Sequence, residues 1–439
     1  MRNPSRWAYR WTLACAGVLL LAAAALASVE AEQQLKDADP KVREKAAKDL
    51  GQEDNPANVS ILSTAVQDKD EKVRSAVVKS LIHLGSPASL PPLTKAVQDG
   101  IPEIRQLAID GLVNFYLPGF VDTGFGGFFR NIGGKVEGLF SSVDTAVVAA
   151  DVKPDADVVR TLSLAVNGAP DTATRVRAAR AVGILRAQNA VPELLKAAFS
   201  NNVELIRATL VAFEKIKDVS VGPRITFLLN YPQKEIQAAA ASTLGVLRTE
   251  SAIPDIQRLF DNSAEDKDLR AASLEALSFM PTKDTAAMFV KLLDDKDKRL
   301  RASSALGLGR LQNSGYAAKL EQQKAAEKDL GVRLALDFAL VKNGKMDALQ
   351  ELVANLASRV HRGEARPYLI ELAREKPVRD ALRSYLYSKE ADVREGLCVV
   401  YGASGDSSNI ADLEVLLRDR KSEVSEEASR AIRLIRSRP

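Results

Sequence analysis

Apolar and polar positions along this chain follow the period of an α-helix, and the helical pattern itself recurs. Val73, Ala76, Val77, Ser80, Leu81 and Leu84 share one helical face, as do Leu269, Ala272, Ala276, Leu277 and Met280. Each such stretch opens with an aliphatic residue followed by arginine. The pair appears as Val42-Arg43, Val73-Arg74, Ile104-Arg105, Val176-Arg177 and Ile206-Arg207, then as Leu269-Arg270, Leu300-Arg301, Val332-Arg333 and Val393-Arg394. Ile236-Gln237 and Val424-Ser425 keep the phase without the arginine. Neighbouring copies stand 30 to 33 residues apart, save for gaps of 72 and 61. Self-similarity at a fixed period of this size is the mark of a repeat architecture.

Each unit reads as two helices, the second starting at the aliphatic-Arg pair. Pro91, Pro192, Pro223 and Pro254 suit the first turn of the first helix, where the missing N–H would have no partner anyway. Two positions after the arginine the residue is small, as at Ala76, Ala179, Ala335 and Gly396, which lets neighbouring helices approach. Asp39, Asp70, Asp266, Asp297 and Asp329 each precede the repeat position by four residues, where a carboxylate caps the incoming helix. The arginines Arg43, Arg74, Arg105, Arg177, Arg207, Arg270, Arg301, Arg333 and Arg394 are expected to pair with an aspartate of their own or the adjoining unit. Together these charges read as a structural ladder.

The pattern resembles HEAT repeats, including those of phycobilisome lyases, over roughly residues 35–115 and 155–436. The resemblance implies an all-α fold, a superhelical α-solenoid of about eleven or twelve helix pairs. It implies little about function. A degenerate unit is expected around Met346 to Ala373, inside the 61-residue gap.

The 72-residue gap, about ten residues over two periods, holds the sharpest change in composition. Between Phe115 and Phe140 lie six of the 13 phenylalanines and seven of the 25 glycines. The chain is therefore divided into a leader at 1–31, repeats at 32–115, a Phe/Gly-rich insertion at 116–154 and repeats at 155–439. Phe120, Phe125, Phe128, Phe129 and Phe140 are candidate anchors for a partner or a membrane surface, because exposed apolar patches mark such sites. Two readings stand: a docking element, or a plug packed back into the array.

The leader changes the picture of location. Arg2, Arg6 and Arg10 precede the uncharged run Trp11 to Val29, and small-residue cleavage sites end at Ala27 or Ala31. This is the order of a secretory signal peptide, with an uncleaved inner-membrane anchor as the alternative. An exported chain, periplasmic or extracellular, is expected. Without those three arginines, 58 basic residues face 57 acidic ones, a balance that argues against nucleic acid as a partner.

Chemistry-bearing residues are sparse. His83 and His361 are the only histidines, and neither is followed by glutamate as in the di-iron HEAT-repeat hydroxylases. Cys398, in Leu397-Cys398-Val399-Val400, reads as a core residue. No phosphate-binding loop or nucleophile elbow is present. The expected function is a non-catalytic protein-interaction scaffold of the cell envelope, with no cofactor or metal and a protein partner of unknown identity. A membrane-associated assembly factor and a chromophore-lyase-like modifying protein are the alternatives.

Overall fold

The computed structural model describes residues 30–53, 55–121 and 146–438, and no strand occurs among them. The leader up to residue 29 lies outside the described residues. Two compact units emerge, one comprising the chain to Val148 with Pro154–Ile216, the other Lys217–Pro439 with Ala149–Lys153. The division falls at Ile216 rather than at the insertion.

In the first unit a helical turn over 30–34 buries Ala31 and Leu35 and leads to α1 (Pro40–Gln52). Pairs follow: α2 (Asn58–Ser63) with α3 (Glu71–Leu84), then α4 (Leu90–Ala96) with α5 (Pro102–Tyr116). After the insertion come α6 (Ala156–Gly168) with α7 (Thr172–Ile184), and α8 (Val191–Ala198) with α9 (Val203–Ile216). The second unit opens with α10 (Gly222–Ile225) and α11 (Lys234–Val246), α12 (Ile253–Asp261) and α13 (Lys267–Phe279), and α14 (Lys283–Leu292) and α15 (Lys298–Arg310). It continues with α16 (Ala317–Ala326) and α17 (Leu330–Lys342), α18 (Leu349–Ala354) and α19 (Arg362–Leu372), α20 (Lys376–Leu382) and α21 (Ala391–Ser404), and α22 (Ile410–Leu416) and α23 (Ser422–Arg436). The odd-numbered helices are the second members of the pairs, twelve in all among the described residues, and within each unit each packs on the next.

Local chemistry explains the helix starts. The side chains of Asp39, Asp70, Asp266, Asp297 and Asp329 accept backbone N–H groups in the first turns of α1, α3, α13, α15 and α17. Pro91, Pro192, Pro223 and Pro254 occupy the first turns of α4, α8, α10 and α12.

Stacking of the odd helices uses a glycine that the repeat pattern alone did not single out. A Cβ on Gly245 of α11 would stand 2.6 Å from the Ala276 Cα of α13, and one on Gly309 of α15 would stand 2.6 Å from the Ala339 Cα of α17. These backbones meet with no room for a methyl group. Leu244, Leu277, Leu308 and Phe338 are fully buried around these crossings, each side chain stabilising the stack by about 2 kcal/mol.

The degenerate unit falls where the periodicity lapses. Pro367 lies inside α19, and a 3₁₀ turn over Asn355–Ala357 extends α18. That turn packs its Leu356 against Gly396 of α21, where a Cβ would come within 3.1 Å of the leucine side chain. Helix α19 packs less extensively on α17 and α21 than the regular odd helices pack on one another.

Among the described residues only α6 lies between α5 and α7 across the 72-residue gap. Helices α5 and α7 pack directly despite it.

Candidate functional site

The repeat arginine works as a rung between units. In α1, Arg43 donates from Nε and Nη2 to the Asp68 carboxylate at 2.7 and 2.8 Å and from Nη1 to the carbonyls of Asp37 and Ala38. Arg74 repeats this with Asp99, Arg301 with Glu327 and Arg394 with Asp419. The acceptor is therefore not one of the capping aspartates. It is the acid two residues before the cap position of the next odd helix, and its carboxylate also accepts the N–H two residues on, as Asp68 does from Asp70. Burial pushes the Asp68 carboxyl up, but the Arg43 guanidinium outweighs this and holds it below its usual range. The spacing Asp-x-Asp, visible at Asp68 and Asp70, was the signal for this second acid.

Four of the nine arginines stand elsewhere. In α7 the rung position belongs to Arg175, which donates to the carbonyl of Ala169 at 2.5 Å. Arg177, two residues later, pairs with Asp110 of α5. Arg207 is exposed, because the corresponding position of α9 is Ile206. Arg270 lies over the Phe260 ring at 4.8 Å, and Arg333 pairs with Glu351 at 2.5 Å. Arg379, inside the 61-residue gap, makes a rung from the short helix α20, reaching the carbonyls of Ala373 and Arg374 and the Asp406 carboxylate.

The ladder crosses the insertion. Arg105 of α5 meets Asp171 of α7 at 2.5 Å, although 66 residues separate them. Asp171 is the cap residue of α7, and it takes the arginine because Ala169 stands where the second acid would be. At the base of the excursion the Asp155 N–H donates to the Tyr116 hydroxyl at 2.8 Å. This bond joins the end of α5 to the start of α6. Val148 is buried, and its N–H donates to the Ile184 carbonyl at 2.9 Å. Phe120 is half-buried at this neck. Phe125, Phe128, Phe129 and Phe140 lie outside the described residues.

In the second unit, α19 reaches past α17 to the end of α15. Arg310 donates from Nε and Nη2 to the Glu371 carboxylate, both at 2.9 Å, and from Nη1 to the carbonyl of Ser278 at 3.0 Å. Its guanidinium lies 4.6 Å from the Phe279 ring centre and 5.2 Å from that of Phe338. Arg248, Glu250, Lys342, Arg374 and Glu375 are among the other residues that line a cleft of about 480 Å³ here. Arg310 spends its donors on Glu371 and Ser278, and both cations and carboxylates flank it in the cleft.

Other candidates close off. Cys398 has no exposed surface, and burial pushes its thiol up to about 12. His361 is half-buried, with Nδ1 3.5 Å from Glu364, and His83 is half-buried near the end of α3. Asp337 is fully buried on α17, where burial raises its carboxyl while Lys324 opposes the shift as its ion-pair partner. Among the described residues no helix is long and apolar enough to cross a membrane, and no group of three metal-ligating side chains is assembled.

Fold and rungs together define an all-α repeat solenoid. A family model for HEAT repeats matches residues 29–113, 221–309 and 256–341. No curated protein matches this chain. A crystal structure of an engineered protein shares 18% identity over 94% of this chain and 100% of its own, with a TM-score of 0.35.

Proposed function

We propose that this chain is a non-catalytic interaction scaffold of the cell envelope that uses its insertion to hold a protein partner. The observation that carries this reading is the neck. Helices α5 and α7 stack, Arg105 bonds Asp171, and Asp155 bonds Tyr116 on either side of the insertion. The Phe/Gly-rich composition of the insertion favours a docking element, because exposed apolar patches mark such sites.

Replacing residues 122–145 by a short Gly/Ser linker tests this. The helical circular-dichroism signal and the melting midpoint should stay close to wild type, while partner recovery by crosslinking in the envelope falls. A collapse of cooperative melting would instead mean that the segment is core. Export is part of the proposal. Cleavage after Ala27 leaves the helical turn with buried Ala31 and Leu35 intact, whereas cleavage after Ala31 removes half of it. N-terminal sequencing of the secreted chain should therefore begin at Ser28.

A further inference from the structure

One rung of the second unit is unmade and leaves a space. The fourth residue of α1, α3, α5, α15 and α21 is an arginine whose guanidinium bridges to an acid of the next unit. In α11 that position is Gln237. Its Nε2–H reaches the carbonyl of Tyr231 at 2.7 Å, six residues back, the same relation that Arg43 has with Asp37. The residue two before the α13 cap Asp266, an acid in the rungs of Arg43, Arg74, Arg301 and Arg394, is Ala264. The guanidinium of the rung is thus replaced by an amide and its carboxylate by a methyl group, while Asn262 lines the space beside them. A cavity of about 320 Å³ opens at this place, lined by Gln237, Asn262, Asn230, Glu265 and the Lys234–Asp266 pair. The arginine of the following unit does not fill it, because Arg270 turns onto Phe260.

The lining has a charge to spare. Lys234 pairs with Asp266 at 3.2 Å, and Arg258 pairs with Asp255. Glu265, on the same wall, makes no ion pair with any described residue, and the side-chain amides of Asn230 and Asn262 make no hydrogen bond with one. These groups offer a carboxylate and two amide oxygens around a space that sister units fill with a guanidinium.

We infer that this unfilled rung receives an arginine side chain presented by a partner protein. The inference rests on the scaffold reading for the existence of a partner, and names what that partner must carry. A guanidinium matches the site because its planar fork donates to a carboxylate and to flanking carbonyls together. A lysine supplies one point charge and satisfies fewer of these acceptors. An anionic side chain meets Glu265 with the wrong sign.

The probe is a capped pentapeptide, alanine at every position but a central arginine, followed by saturation-transfer NMR on the full mature chain. Transfer to the arginine δ-methylene protons is expected, with none to a norleucine peptide and weaker transfer to a lysine peptide. Glu265→Gln removes an exposed charge and should weaken binding roughly threefold while leaving the melting midpoint unchanged. The double variant Gln237→Arg with Ala264→Asp rebuilds the rung. It should melt at or above the wild-type midpoint and lose the transfer. Equal transfer to the rebuilt variant, equal transfer to norleucine, or no transfer at millimolar peptide overturns the inference. A chain with the insertion replaced keeps this cavity, so peptide binding there separates failure of this site from failure of the insertion as an anchor.

Discussion

Gly309→Ala is the substitution whose sign the structure decides. Gly309 lies in the last turn of α15, and in an exposed helix interior alanine is favoured over glycine by about 1 kcal/mol. Here the new Cβ would stand 2.6 Å from the Ala339 Cα, 3.0 Å from its Cβ and 3.4 Å from the Phe338 ring. Ordinary carbon contact needs about 3.8 Å, so α15 and α17 must separate by about 1 Å along the contact. The nearest atom is backbone and cannot rotate aside. Overpacking of this kind costs about 3 kcal/mol, leaving a net destabilisation of about 2 kcal/mol after the propensity gain. Gly168→Ala, at the end of α6, is the control, because nothing lies within 4 Å of its Cβ. It should be neutral or stabilising by a few tenths of a kcal/mol. Urea titrations by circular dichroism measure both, with hydrogen exchange in α15 and α17 locating the loss. If Gly309→Ala stabilises the chain as the control does, the close approach is not what selects glycine there.

Arg301→Ala should cost about 3 kcal/mol, because it strands a nearly buried Glu327 carboxylate, whereas Arg207→Ala at an exposed position should stay within about 0.5 kcal/mol; equal effects in denaturant titrations would refute the rung assignment. Asp171 predicts a pH dependence. Burial alone would raise its carboxyl, but the Arg105 and Thr174 hydrogen bonds bring it down to about 2 from 3.8. Its pairing therefore stabilises the fold above about pH 4, and this contribution is lost as the pH falls toward 2. Asp171→Asn should flatten the decline in melting midpoint over that window, and parallel curves would count against the pairing. Cys398 should resist iodoacetamide at pH 8 in the native protein and react fully in denaturant, because burial keeps it protonated. Native labelling at the rate of a free thiol would show that α21 is open.

Much of the fold was legible because a repeat prints its own physics many times over. A 3.6-residue period, the capping aspartates and the first-turn prolines are local matters, decided within a few residues of chain, and the all-α repeat fold follows from them. The degenerate unit could be placed for the same reason, by where the period lapsed around Pro367. Other features needed tertiary contact. Arg43 could be seen to have a partner, but its choice of Asp68 over Asp70 depends on which carboxylate the next unit turns toward it. Arg177 matched the dipeptide pattern, yet the fourth position of α7 is Arg175, since helix starts are set by caps rather than by a two-residue motif. The glycines at 245 and 309 carry no pattern until the neighbouring backbone is 2.6 Å from their missing Cβ. The size of the gap before Arg177 was countable in the sequence. Only the tertiary structure decided that α5 packs on α7 across it, with Arg105 bonded to Asp171 and Asp155 to Tyr116, because contact between residues 66 apart is a property of the folded chain.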